Sequence, residues 1–132
     1  MENIYEELFE EAKKASQKAY CPYSKFPVGA CILYKSGNKY TGCNVENASF
    51  GLTLCAERNA ISSAVSAGEE STIEAIAIYS PKQKECMPCG ACRQWLDEFA
   101  TDDKMKIILE NNQGELTVLT LKEIFPCGFK LN

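Results

Sequence analysis

Apolar side chains at Ile4, Leu8, Ala12, Ala15 and Ala19, with charges between them, fall close to helical spacing and predict a first helix over residues 2–19. Cys21-Pro22 ends that helix and opens a loop. From Val28 to Tyr34 the chain is almost continuously apolar, the pattern of a buried strand, and Ser36-Gly37-Asn38 turns it into a second strand at Lys39–Cys43. Asn44–Leu52 is a polar connection. A second helix is predicted from Thr53 to Ala67, stopped by Gly68. Ile73–Ser80, built largely from Ile and Ala, reads as an interior strand, Pro81–Pro88 as a loop, and Cys89–Phe99 as a short helix. Two more strands, Lys104–Glu110 and Glu115–Leu119, flank the turn Asn111-Asn112-Gln113-Gly114, and a last helical turn at Leu121–Ile124 ends before Pro126. This order of elements predicts an α/β sandwich around a mixed five-stranded sheet, as one domain over residues 1–132.

Composition narrows the function. A chain of 132 residues with 45% hydrophobic content supports one real core. Such a chain buries roughly two-thirds of its unfolded surface. The net charge is −4, and Lys13-Lys14 is the only adjacent basic pair. A polyanion needs a basic stripe that neutralises several phosphates, so nucleic acid is not expected as a partner. No apolar run approaches the ~20 residues of a membrane-spanning helix, so no membrane partner is expected either. The acidic start Met1-Glu2-Asn3-Ile4-Tyr5-Glu6-Glu7 carries no hydrophobic signal region, which favours reduced thiols over a disulfide framework for the eight cysteines. The expected location is the cytoplasm. The chain has no histidine, so any metal site must use sulfur and oxygen ligands.

Cys55-Ala56-Glu57 and Pro88-Cys89-Gly90-Ala91-Cys92 carry the chemistry. Both segments lie at predicted helix starts, where free N–H groups and the helix dipole favour thiolates. Pro88 suits the start of the helix predicted from Cys89, where no N–H is needed. Cys89 and Cys92 stand three apart and share one helix face. Three thiolates would hold one zinc ion and leave the fourth corner open, as catalytic zinc sites do. Glu57 sits where it can take a proton from water there and pass it to a substrate nitrogen. Zinc with three thiolates carries an excess of negative charge that weakens its acidity; Arg58, three residues after Cys55, is expected to offset this by donating to a ligand sulfur. Cys86 leaves a rival open. With Cys55, Cys89 and Cys92 it would close a structural four-sulfur site, and Cys86-x-x-Cys89-x-x-Cys92 resembles part of an iron–sulfur ligand run. Met87-Pro88 puts a turn after Cys86 that is expected to point it elsewhere. Cys21, Cys31, Cys43 and Cys127 read as buried or half-buried thiols.

These motifs resemble those of the cytidine deaminase family, in particular its small homotetrameric nucleoside type. The resemblance runs along nearly the whole chain, through Tyr20–Ala30, Gly42–Ser49, Thr53–Arg58 and Pro88–Gln94. It implies a three-layer α/β/α sandwich, one zinc ion per subunit, and hydrolytic deamination of cytidine and 2′-deoxycytidine in pyrimidine salvage. It further implies that Asn44 and Glu46 bond the ribose hydroxyls, that Phe26 stacks on the pyrimidine, and that the Ala56 N–H bonds the pyrimidine carbonyl. Phe129, in the tail Phe125–Phe129, is expected to enter a neighbouring subunit's pocket. Phe50 stands where relatives often carry tyrosine, and Cys86-Met87 makes an unusually sulfur-rich approach to Pro88. Two rival functions are a deaminase of a modified cytosine nucleoside such as blasticidin S, and a non-catalytic zinc-stabilised module.

Overall fold

Strands β1 (Gly29–Tyr34), β2 (Lys39–Cys43), β3 (Ile73–Tyr79), β4 (Lys106–Glu110) and β5 (Leu116–Thr120) form a five-stranded sheet in the order β2-β1-β3-β4-β5. Every neighbouring pair is antiparallel except β3–β4. Parallel strands need a crossover, and the helix α3 (Gly90–Phe99) supplies it. The computed structural model describes residues 2–131; the expected domain span of 1–132 also takes in Met1 and Asn132, which lie outside the described residues.

The two faces of the sheet separate along each strand. Ala30, Ile32, Tyr34, Ile76, Ile78, Ile107 and Leu109 pack with Ala60, Ile61 and Ala64 of α2 (Ala56–Ser66) and Leu96 of α3. Cys31, Ala75, Ala77 and Ile108 point the other way, onto Leu8, Phe9 and Ala12 of α1 (Glu2–Ser16). With helices on both faces, the central strands β1, β3 and β4 have few polar positions, which is why they read as apolar runs rather than alternating ones. The predicted three layers and mixed sheet are both present. The short helix α4 (Leu121–Ile124) closes the order, its start fixed by a capping box between Thr120 and Glu123.

Two glycines set how closely the helices lie on the sheet. A Cβ on Gly29 would stand 2.5 Å from Ser16 N, and one on Gly42 would stand 2.5 Å from Ala56 O and 2.9 Å from Ala60 Cα. At both places helix backbone rests directly on strand backbone, which only glycine allows. Gly42 matters most for the site, because Ala56 is the first residue of α2.

Element boundaries differ from the sequence reading where backbone pairs capture a terminal residue. α1 ends at Ser16, not at residue 19. Its end tightens into i→i+3 bonds, such as Lys18 N to Ala15 O at 3.0 Å, and Tyr20 is drawn off to donate to Asn44 O at 3.0 Å. α2 starts at Ala56 rather than Thr53, because Leu54 exchanges two 2.9 Å backbone bonds with Val45. β4 starts at Lys106 rather than Lys104, whose N–H is taken by the Asp102 carboxylate at 2.7 Å. The 3₁₀ turn Phe50–Leu52 was not predicted. Among the described residues no helix is long and apolar enough to cross a membrane.

Gly42→Ala should lower unfolding stability on the order of 1–3 kcal/mol, the usual cost of forcing atoms into a packed contact. Chemical denaturation measures this, and a wild-type midpoint would show that α2 lifts off the strand without penalty.

Candidate metal and active site

The helices α2 and α3 start beside one another, and each start carries sulfur. Cys55 is the N-cap of α2 and Cys89 the N-cap of α3, both in extended backbone, while Cys92 sits one turn into α3. Neither cap cysteine makes the side-chain bond that an N-cap ordinarily makes to the first turn. The capping positions are given over to sulfur, in the field of two helix amino termini. Pro88 lies one residue before the cap, and the extended backbone of Cys89 (φ −69°, ψ 171°) starts the helix at Gly90 rather than at Cys89 as predicted.

The Cys55, Cys89 and Cys92 sulfurs lie within 4.8 Å of one another. Cys92 is buried, Cys55 half-buried and Cys89 exposed, so the cluster opens to solvent on the Cys89 side. Arg58 Nη2 donates to Cys55 Sγ at 3.2 Å. The neighbouring Cys92 thiol, then Arg58, holds the Cys55 thiol down to about 5, while the Cys55 sulfur and burial drive Cys92 far up. Three soft donors at this spacing fit zinc.

Glu57, the second residue of α2, is only 5% exposed. Burial raises its carboxyl to about 7, and the Cys55 charge adds to the rise. A carboxyl in that range can both take and give a proton near neutral pH. Cys86 is not in the sulfur cluster. It is half-buried against the hydrophobic core, and burial, then the Glu57 charge, raises its thiol to about 11. Its separation from the cluster is as predicted, but Met87-Pro88 runs on without a turn into the Cys89 cap.

Asn44 and Glu46 converge on the loop that carries Phe26, whereas Ala56 and Phe129 lie elsewhere. Asn44 is 8% exposed; its Oδ1 accepts from Val28 N at 2.9 Å and its Nδ2 donates to Phe26 O at 2.9 Å. Glu46 Oε1 accepts from Tyr23 N at 3.0 Å and Ser24 N at 3.1 Å, and Oε2 pairs with Ser24 Oγ. These bonds, led by the Ser24 hydroxyl, hold the Glu46 carboxyl below its usual range. Within the chain, then, both residues shape the loop that carries Phe26, which is half-buried. Ala56 is fully buried at the α2 start. Phe129 is 67% exposed and is held by Gln94 of α3, apart from the other candidate residues. Phe50, 75% exposed, meets the Tyr23 ring edge-on at 6.1 Å between centroids.

Sequence reasoning missed three residues that hold this arrangement. Ser24 links Glu46 to the Phe26 N–H. Asn59 Nδ2 donates to Cys43 O at 2.7 Å and ties α2 to the end of β2. Arg93 donates from Nε to Pro88 O at 2.8 Å, bracing the segment before Cys89. Asn59 stands four residues after Cys55, one helical turn on; that spacing was the available signal.

The sequence model of the family described as the cytidine and deoxycytidylate deaminase zinc-binding region matches residues 2–109. Over 124 residues, covering 94% of this chain and 90% of the relative, the sequence is 44% identical to a cytidine deaminase from Sporosarcina psychrophila. It is 47% identical over 127 residues, 92% of this chain and 86% of the relative, to a cytidine deaminase from Mycobacterium tuberculosis. The crystal structure of a cytidine deaminase from Burkholderia pseudomallei superposes with a TM-score of 0.85 at 42% identity, covering 94% of this chain and 98% of that one.

Because the Cys92 proton must leave before all three sulfurs can bind a cation, zinc affinity should rise with pH. At least one proton released per ion gives about a tenfold gain per pH unit near neutrality. Competition titrations against a zinc indicator test this; affinity independent of pH would show that no thiol proton is lost when the ion binds.

Proposed function

Because the chain belongs to the cytidine and deoxycytidylate deaminase family, we propose that it hydrolyses cytidine and 2′-deoxycytidine to the corresponding uridines with release of ammonia. The observation that carries this reading is the placement of buried Glu57 at the start of the helix capped by Cys55, whose sulfur groups with those of Cys89 and Cys92. Zinc is the cofactor the donor set fits, and Cys55, Cys89 and Cys92 would hold it. When bound, zinc supplies Lewis-acid activation of water and stabilises negative charge developing on oxygen.

The chain's own residues do the rest. Glu57 takes a proton from the water that adds to C4 of the base and delivers it to N3; it then takes the proton of the added C4 hydroxyl and passes it to the exocyclic amine, so that the C4–N bond breaks, ammonia leaves and the C4 carbonyl forms. The Ala56 N–H, free at the first position of α2, donates to the pyrimidine carbonyl. Phe26 stacks on the ring. Asn44 and Glu46, already turned toward the Phe26 loop, use their remaining hydrogen-bonding capacity on the ribose hydroxyls. A carboxylate there favours a neutral sugar over a phosphorylated one. Arg58 draws charge from Cys55 and so preserves the acidity of the metal.

The finer assignments follow the same reading. The chain acts as one deaminase domain over residues 1–132 and as a homotetramer, in which Phe129 of one subunit reaches the site of another. Exposed Tyr20, Tyr23, Phe50 and Leu52, in the segments leading to Phe26 and Cys55, support self-association on that side. Eight free cysteines support a reducing compartment, and we assign the cytoplasm and a role in pyrimidine salvage.

Glu57→Gln should bind zinc as the wild type does yet lose at least on the order of 10²–10⁴ in kcat on cytidine. Ammonia release from cytidine, 2′-deoxycytidine, free cytosine and blasticidin S, with zinc content measured in parallel, decides the matter. Near-normal turnover in the variant would remove Glu57 from the mechanism, and preference for the antibiotic would move the substrate assignment.

A further inference from the structure

The tail after α4 is fastened to the helix that carries Cys92, and the fastenings come from that helix's first two turns. Arg93, whose Nε holds Pro88 O, donates from Nη1 to Ile124 O at 2.7 Å. Gln94 engages both peptide groups of a single residue. Its Nε2 donates to Phe129 O at 2.7 Å, and its Oε1 accepts from Phe129 N at 3.2 Å. One turn further on, Asp97 is 7% exposed and lies against Gly128, where an added Cβ would fall 2.6 Å from the Asp97 Cγ. The Phe129 backbone is thus held at both its N–H and its C=O while the residue as a whole stays 67% exposed.

That combination needs a physical reason. Ordering a segment outside helices and strands costs conformational entropy, which burial of its side chains usually offsets. Here the anchored aromatic ring contributes little to its own subunit's core. An amide that pairs with both the N–H and the C=O of one residue works as a strand neighbour would, fixing where the side chain emerges. The mount is also continuous with the metal site, because Gln94 follows Cys92 by two residues and Arg93 braces the segment before Cys89.

We propose that Gln94 is a positioning residue, which presents the Phe129 ring at a set place so that it meets nucleoside bound in a neighbouring subunit. The inference rests on the reading of Phe129 given above. Its chemistry is preorganisation: the ring is placed before substrate arrives, so its loss weakens binding more than turnover.

The test uses the full-length zinc-loaded protein and the variants Gln94→Ala, Phe129→Ala, Gly128→Ala and the double variant Gln94→Ala/Phe129→Ala. Gln94→Ala should speed hydrogen exchange at the Phe129 amide by about tenfold or more, since that N–H loses its acceptor. It should raise KM for cytidine several-fold with kcat and zinc content unchanged, and add nothing further in the Phe129→Ala background. Gly128→Ala, which pushes the tail off Asp97 without altering Gln94, should reproduce both effects and serves if Gln94→Ala does not fold. Unchanged exchange, faster exchange with wild-type KM, or losses that add in the double variant would each overturn the proposal. If the wild type leaves cytidine unchanged, the functional reading has failed, and the exchange measurement alone then decides whether Gln94 holds the tail.

Discussion

Bringing three sulfur ligands within 4.8 Å of one another concentrates negative charge that the protein must offset from nearby. The offsets available here are two helix amino termini, the Arg58 guanidinium on Cys55, and the metal cation that the donor set fits. Neither helix can move without dispersing the cluster. The close seat of α2 on Gly42 and the Asn59 bond to Cys43 are therefore as much part of the site as the ligands. The same packing buries Glu57 and lifts its carboxyl toward neutrality, so that metal binding and proton transfer depend on one placement of one helix.

The sheet was legible because burial on both faces leaves an unmistakable record: Ile73–Tyr79 and Gly29–Tyr34 have almost no polar position to confuse the reading. The sulfur cluster was legible because ligand spacing at a helix start is a local property. Cys89 and Cys92 share a face whatever the rest of the chain does. Boundaries were harder wherever a residue distant in sequence competes for a backbone group. Tyr20 is drawn from the helix end by Asn44, and Leu54 from the helix start by Val45, and neither partner could be identified from spacing alone.

Side-chain roles on loops were the least legible. Asn44 and Glu46 stood out as sugar contacts through a family resemblance, yet their nearest partners are the backbone groups of residues 23, 24, 26 and 28. The two uses reinforce each other. A polar residue whose first bonds shape the Phe26 loop is held still enough for its remaining lone pairs and hydrogens to recognise a hydroxyl. Arg93 and Gln94 escaped notice for the opposite reason. They sit beside a ligand cysteine but point to the chain's far end, and no local pattern connects residue 94 to residue 129.

The account stands on a zinc centre bound by three cysteine sulfurs with its remaining position left to a small exchangeable ligand. X-ray absorption at the zinc edge of the purified protein measures that directly. The predicted first shell is three sulfurs from Cys55, Cys89 and Cys92 plus one oxygen or nitrogen. A shell of four sulfurs, with Cys86 drawn in, would close the site, leave Glu57 without water to act on, and contradict the account.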